Sequence, residues 1–354
     1  MRKDTRPLLA VTMGDPAGVG PEVAVGALAR REVQEACRAL VIGDARVLRR
    51  AADWVGSPFL PQVVSSAGEA EEHGDGVCLL DLGNADPEAI ALGQVSAEAG
   101  RAAAEYITRA AQLARIGAVA AVVTGPINKE SLRLAGVPYP GHTELFAALA
   151  ETPEARSGAR HGHARVAMML VHGNMRVAHV TTHAAVRNAC EMVTREQVLS
   201  VIRLTQQALL KMGVSEPRIA VAGLNPHAGE SGLFGDEELR EIAPAVSDAA
   251  RLGIRATGPL PPDTVFARHR AGEFDAVVAM LHDHGHIAVK TVGFAPDATG
   301  RLRTAGVNVT LGLPFIRTSA DHGTAFDIAG KGIADPTSMV EAILLAAQMA
   351  KTQA

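Results

Sequence analysis

The chain has 354 residues, 47% hydrophobic and 20% charged, with a net charge of -4. Such a balance is too apolar for a disordered chain, and the length exceeds what one hydrophobic core usually fills, so two domains are expected. Mixed charges and only 3% aromatics argue against a nucleic-acid or membrane-surface partner, and 3 widely separated cysteines (Cys37, Cys78, Cys190) argue against a disulfide framework and suit a cytoplasmic enzyme.

The first apolar run, "PLLAVTM", is short and leads into "GDPAG", which reads as a strand rather than a signal peptide. No stretch is long and apolar enough to span a bilayer. Further along, "RALVIGD", "AVAAVVTG", "RVAMMLV", "RVAHVTT", "RIAVAGL" and "DAVVAML" read as strands. Segments rich in Ala, Leu, Glu and Arg separate them, and helices are expected over 22–30, about 97–116, 195–212 and 338–351. This alternation predicts βα units around a mostly parallel sheet, without separating one large sheet from two. The polar stretches 151–163 and 295–306 read as loops or short helices.

Several strand ends carry residues suited to chemistry. "MGDPAGVGPE" (13–22) follows a strand and precedes a helix, yet it lacks GxGxxG, so a structural turn is the better reading of these residues alone. In "TGPINKESL" (124–132), Lys129 either holds an anion or is a solvated lysine at a helix start. "GHTE" (141–144) opens a helical segment: His142, Thr143 and free helical amides would seat an anion, the plainer reading being Thr143 as N-cap and His142 on the surface.

Three histidines follow apolar strands: His183, His227 and His282. Each taken singly is as well read as a buried hydrogen-bonded histidine. As a set they point to one divalent metal at the carboxyl edge of a sheet, held by neutral imidazoles. Asp283 could orient an imidazole or accept a proton, and Lys290 could act as base or anion clamp. His284 and His286 share a strand phase with His282, although Gly285 suggests a turn, and they read as supporting or merely polar residues. His161 and His163 sit in a polar loop and read as bystanders. Arg317, in a glycine-rich block with Asn308, Asp321 and His322, offers a planar fork for phosphate or carboxylate.

Taken in order, "TMGDPAGVGPE", "TGPINK", "GHTE", "TTH", "LNPHAGESGLFGDEE", "GPLPPDTVF", "HDHGHIAVK" and "GVNVTLGLPFIRTSADHGTAFDIAGKG" resemble the 4-hydroxythreonine-4-phosphate dehydrogenase family, often called PdxA. They run from Thr12 to Gly332. The resemblance implies a two-domain α/β/α fold like that of isocitrate and isopropylmalate dehydrogenases, with the active site in the cleft and at a homodimer interface. The approximate domains are 1–135 with 305–354, and 136–304. It implies NAD or NADP as cofactor without the usual glycine fingerprint, and one divalent metal (Zn, Mg or Co) on His183, His227 and His282, with the partner subunit contributing. Substrate contacts fall on His142, Thr143, Lys290, Asn308 and Arg317, and acidic residues of the same site on Asp263 and Asp283.

The implied reaction oxidises 4-phosphohydroxy-L-threonine and then decarboxylates it, with Lys290 or an aspartate taking the proton. The chain departs from the family pattern at "TTHAAVRNACEMV", at His284 and in an extra segment near 295–304. A catabolic 4-phospho-D-threonate or erythronate dehydrogenase of the same family is therefore the alternative. An acyl- or phosphate-transferring enzyme is the alternative from another class, since the fold also resembles phosphate acetyltransferases.

Overall fold

The computed structural model describes residues 5–58, 61–73, 76–139, 141–150, 166–296 and 302–352. The loop reading of 151–163, with His161 and His163, lies outside these residues, as does the middle of the extra segment. The chain divides into two compact units, one of Met1–Pro153, Arg303–Val307 and Leu313–Ala354, the other of Glu154–Leu302 and Asn308–Gly312.

The first unit contains β1 (Leu8–Thr12), β2 (Arg38–Gly43), β3 (Gln62–Val64), β4 (Val77–Asp81) and β5 (Ala121–Thr124). The last strand of its sheet, β14 (Ile316–Ala320), comes late in the chain. All pairings are parallel, in the order β3-β4-β2-β1-β5-β14. Every residue of β1, β2, β5 and β14 is buried, which explains why β1, β2 and β5 are largely continuous apolar runs instead of alternating; β14, IRTSA, is buried without being apolar.

Helix Ala97–Arg115 shows the local logic. Ser96 caps it by accepting from the Ala99 amide at 3.0 Å, and Ala99, Ala103, Tyr106, Ala110 and Leu113 recur at helical spacing on its buried side. Strand order turns at β1, with β2 on one side and β5 on the other, so the loops after β1 and β5 meet: the Asp15 amide donates to the Pro126 carbonyl at 2.8 Å. Such a switch point is where open α/β sheets bind ligands. The buried Glu22 ties this region to the end of the chain, accepting from the amides of Gly330 at 2.9 Å and Gly332 at 2.6 Å.

The second unit contains β6 (Ala167–His172), β7 (Met175–His179), β8 (Ile219–Ala222), β9 (Ala256–Leu260) and β10 (Ala276–Ala279). The extra segment contributes two short strands, β11 (Phe294–Pro296) and β12 (Leu302–Thr304), before β13 (Val307–Leu311). The sheet runs β13-β6-β7-β10-β8-β9, with β6 and β7 an antiparallel hairpin and β7, β10, β8 and β9 parallel. Its core is aliphatic, built on Leu170, Val177, Ala220, Val277 and Val289 with Phe274.

The four expected helices are present as Gly20–Leu28, Ala97–Arg115, Arg195–Lys211 and Thr337–Lys351. The histidine-rich segment neither continues the strand nor turns at Gly285 as expected. β10 stops at Ala279, and His282–Gly293 is a helix whose Gly285, Val289 and Gly293 face the interior at four-residue spacing. No helix among the described residues is long and apolar enough to cross a membrane.

Candidate active site

The first unit gathers Arg317, Thr124, His142 and two phenylalanines. Arg317 projects from β14, is 2% exposed, and donates from Nη2 to Thr124 Oγ1 at 2.6 Å. Its guanidinium carbon stands 5.7 Å from the Phe146 ring centroid, and His142 stacks on Phe146 at 6.4 Å with planes 12° apart. Phe315 meets Phe146 edge-on at 5.9 Å, closing the apolar side.

Burial pulls the Arg317 guanidinium down to about 9, and the nearby Glu144 works in the opposite direction without overcoming it. Burial, then the Arg317 charge, holds His142 well below its ordinary value, so the imidazole is neutral, and its Nε2 is sealed from solvent with no hydrogen-bond partner. An anion placed here would relieve the cost of burying the guanidinium. The helix His142–Ala150 begins at His142 itself, so Thr143 lies in its first turn rather than acting as N-cap, beside amides that have no intrahelical acceptor. Lys129 is exposed at the first position of helix Lys129–Leu134, behind the Asn128 cap.

The second unit gathers imidazoles. His282 and His286, one helical turn apart, stack at 3.6 Å between centroids; His179 at the end of β7 lies 4.8 Å from His286, and His183 lies 5.8 Å from His282. Helix Gly285 makes this approach possible, since an added Cβ would fall 2.2 Å from His179 Nε2. Burial and then the neighbouring His286 push His179 down to about 3, while burial and then His282 push His286 down to about 4. These rings are neutral at physiological pH.

His179 Nδ1 donates to the Met168 carbonyl at 3.2 Å, leaving a buried Nε2 without a partner. His282 Nδ1 donates to Asp283 at 2.8 Å, and this hydrogen bond holds the exposed Asp283 carboxyl below its usual range. Lys290 is half-buried on the same helix, its Nζ 5.8 Å from the Phe294 ring. Asn308, on β13, has a buried Oδ1 with no partner, and Asp263 is exposed in the first turn of helix Pro262–Arg270.

His227 stands beyond β8 in a turn, Pro226–Gly232, whose residues His227 to Ser231 all have positive φ, from 42° to 77°. Each non-glycine residue in this region costs roughly 1–2 kcal/mol, and four of the five are not glycine. Its Nδ1 donates to Glu230 at 2.8 Å.

In His227 and His282 a carboxylate takes up Nδ1, so Nε2 is the ring nitrogen left to face a cation. That donor type fits a metal. Among the described residues, however, no three His, Cys, Asp or Glu side chains form one metal-holding group. Within one chain the structure brings His183 to His282 and does not gather His227 with them. Sequence reasoning passed over His179, Thr124 and Phe146. The signal for His179 was an imidazole closing the run Val177–Ala178 at the end of β7.

The fold is thus an α/β one whose first unit buries an arginine beside a histidine and whose second unit clusters four histidines. The family model described as pyridoxal phosphate biosynthetic protein PdxA matches residues 35–346. The chain is 46% identical over 352 residues to a D-threonate 4-phosphate dehydrogenase of Cupriavidus necator, covering 99% of both. It is also similar to the crystal structure of a 4-hydroxythreonine-4-phosphate dehydrogenase from Burkholderia phymatum (46% identity, TM-score 0.80, 98% of this chain and 99% of that one). A terephthalate 1,2-cis-dihydrodiol dehydrogenase from Burkholderia xenovorans is more distant (31% identity, TM-score 0.65, 97% and 98% covered). The chain belongs to the PdxA family of dehydrogenases.

Proposed function

We propose that the chain is an NAD- or NADP-dependent dehydrogenase that oxidises a secondary hydroxyl of a four-carbon acid phosphorylated at its far end, D-threonate 4-phosphate first. The observation that carries this is the buried Arg317, hydrogen-bonded to Thr124 beside the neutral His142, whose Nε2 is buried without a partner, which together make a seat for a phosphate. The name of the Cupriavidus necator relative supports D-threonate 4-phosphate over the 4-phosphohydroxy-L-threonine that the family pattern suggests. That second substrate is kept because the Burkholderia phymatum neighbour bears its name at the same identity. Membership in a dehydrogenase family leaves the acyl- or phosphate-transfer alternative without support.

Arg317, Thr143 and His142 grip the phosphate, and that remote binding energy positions the reacting carbon. Hydride leaves the hydroxyl-bearing carbon for the nicotinamide while the hydroxyl proton passes to Lys290, or to Asp263 or Asp283 through water. Asn308 offers its unpartnered Oδ1 to a substrate hydroxyl. The product is a 3-oxo acid, and loss of its carboxyl group as carbon dioxide completes the reaction.

His183, His227 and His282 would hold a divalent cation (zinc, magnesium or cobalt), which when bound stabilises the deprotonated hydroxyl as a Lewis acid. His227 is not gathered with the other two within one chain, so the set is completed across a homodimer. One panel tests the reading: D-threonate 4-phosphate, D-erythronate 4-phosphate and 4-phosphohydroxy-L-threonine, each with NAD and NADP, followed by reduced-nicotinamide absorbance. Turnover of the threonate with the highest kcat/KM is expected. No reduction of either nucleotide with any of the three acids would overturn it.

A further inference from the structure

His227 is carried on a backbone that its own residues disfavour: five consecutive left-handed positions, of which only Gly229 is a glycine. Strain of this kind persists only where the surroundings over-determine it. Those surroundings converge on one side chain, Glu238, which is 2% exposed on the short π-helix Glu238–Ile242. Its Oε1 accepts from the backbone amides of Leu224 and Asn225, both at 2.7 Å. Its Oε2 accepts from Asn225 Nδ2 at 2.9 Å, and Glu237 takes a second hydrogen bond from the same nitrogen at 2.7 Å. Chain on both sides of the turn closes on this carboxylate. A Cβ at Gly223 would stand 3.1 Å from Oε1, and one at Gly229 would stand 2.7 Å from Oε2.

We propose that Glu238 is the positioning residue for His227: it holds the left-handed turn so that the imidazole keeps Nδ1 on Glu230 and presents Nε2 outward. The inference rests on His227 belonging to the proposed site. A carboxylate is needed, not merely a polar group of that size. A carboxamide would retain one oxygen for the two amides but turn an N–H toward Asn225 Nδ2, which Glu237 holds in its donating orientation. Gly229 supports the same device by leaving room for Oε2.

The test uses the full chain carrying Glu238→Gln or, separately, Gly229→Ala. Histidine-labelled protein is followed by NMR, with the His227 ring assigned by its loss in His227→Ala. Both variants are expected to melt cooperatively with the His227 resonance displaced from its wild-type position. kcat is expected to fall roughly tenfold to a hundredfold, with KM for the nucleotide changed by less than about twofold. A folded Glu238→Gln protein with an unmoved His227 resonance and wild-type kcat overturns the proposal. Failure of both variants to fold also overturns it, because the role would then be structural. Absence of turnover in the wild-type chain rejects the proposed function alone, and the His227 resonance still decides whether Glu238 positions the ring.

Discussion

The Arg317 guanidinium donates to the Thr124 hydroxyl at 2.6 Å, joining β14 to its parallel neighbour β5. The bond fixes the fork in one orientation, so both charge and planarity matter. Arg317→Ala is expected to raise KM for a phosphorylated substrate by roughly tenfold to a hundredfold, the worth of one or two charge-assisted hydrogen bonds. Arg317→Lys should recover little of this, because an ammonium cannot reproduce the fork. KM for the nucleotide should stay near the wild-type value. Steady-state kinetics with each substrate varied in turn check the outcome, and equal effects on both constants would remove the phosphate role.

His183 and His282 are neighbours, and His227 is not gathered with them in one ligand group. If a second copy completes the set, His227→Ala and His282→Ala proteins should each be inactive alone. Mixed after reversible dissociation, they should regain about a quarter of wild-type activity, since half of the dimers then carry one intact site of two. No recovery in a mixture shown to contain heterodimers would place all the ligands in one chain or abolish the metal role.

Gly285 is the contact point between the histidine-bearing helix and His179. An added Cβ would lie 2.2 Å from the His179 ring nitrogen and 2.7 Å from Val177 Cγ1. Gly285→Ala is expected to lower stability to denaturant by about 1–3 kcal/mol, the usual cost of overpacking. Adding His179→Ala should return part of that loss, and a double-mutant cycle measures the coupling.

Asp44 gives the fold a pH dependence at the acid end. Its side chain is fully buried and caps helix Ala45–Trp54, accepting from the Arg46 amide at 2.9 Å, the Ala85 amide at 3.0 Å and the Arg46 guanidinium at 2.9 Å. Burial opposes ionisation, but the Arg46 side chain and the two amides outweigh it, holding the carboxyl below its ordinary 3.8. The unfolded chain therefore takes up this proton at a higher pH than the folded one. The stabilisation is complete above the unfolded value and disappears as pH falls through the folded one. Asp44→Asn keeps a capping oxygen but loses the charge paired with Arg46, and should cost about 1 kcal/mol near neutrality. The difference from wild type should shrink below about pH 4, as unfolding curves at several pH values will show.

Much of the fold was legible because strands buried on both faces leave continuous apolar runs, as in β1, β2 and β8. β13 and β14 were not. Their glycine-rich, polar-studded segment reads as a loop, and their place in the sheets is set by β5 and β6, far back in the chain, which no local pattern encodes. Gly285 among His282, His284 and His286 suggested a turn, while the better signal was the four-residue spacing of Gly285, Val289 and Gly293, the period of a buried helical stripe. Arg317 and His142 could be singled out by chemical type. Thr124 and Phe146 could not, since an ordinary threonine and phenylalanine acquire meaning only when β5 and helix His142–Ala150 bring them to the guanidinium.

The first unit takes β1 to β5 from residues 8–124, yet its sheet ends on β14 and Glu22 is tied to Gly330 and Gly332. A nascent chain carrying only β1 to β5 therefore keeps β5 as a bare edge until residue 320 emerges. The second unit, almost one unbroken stretch, can complete its own core first. Arg317 reaches Thr124 only through that pairing, so the proposed phosphate contact cannot form with β1–β5 alone.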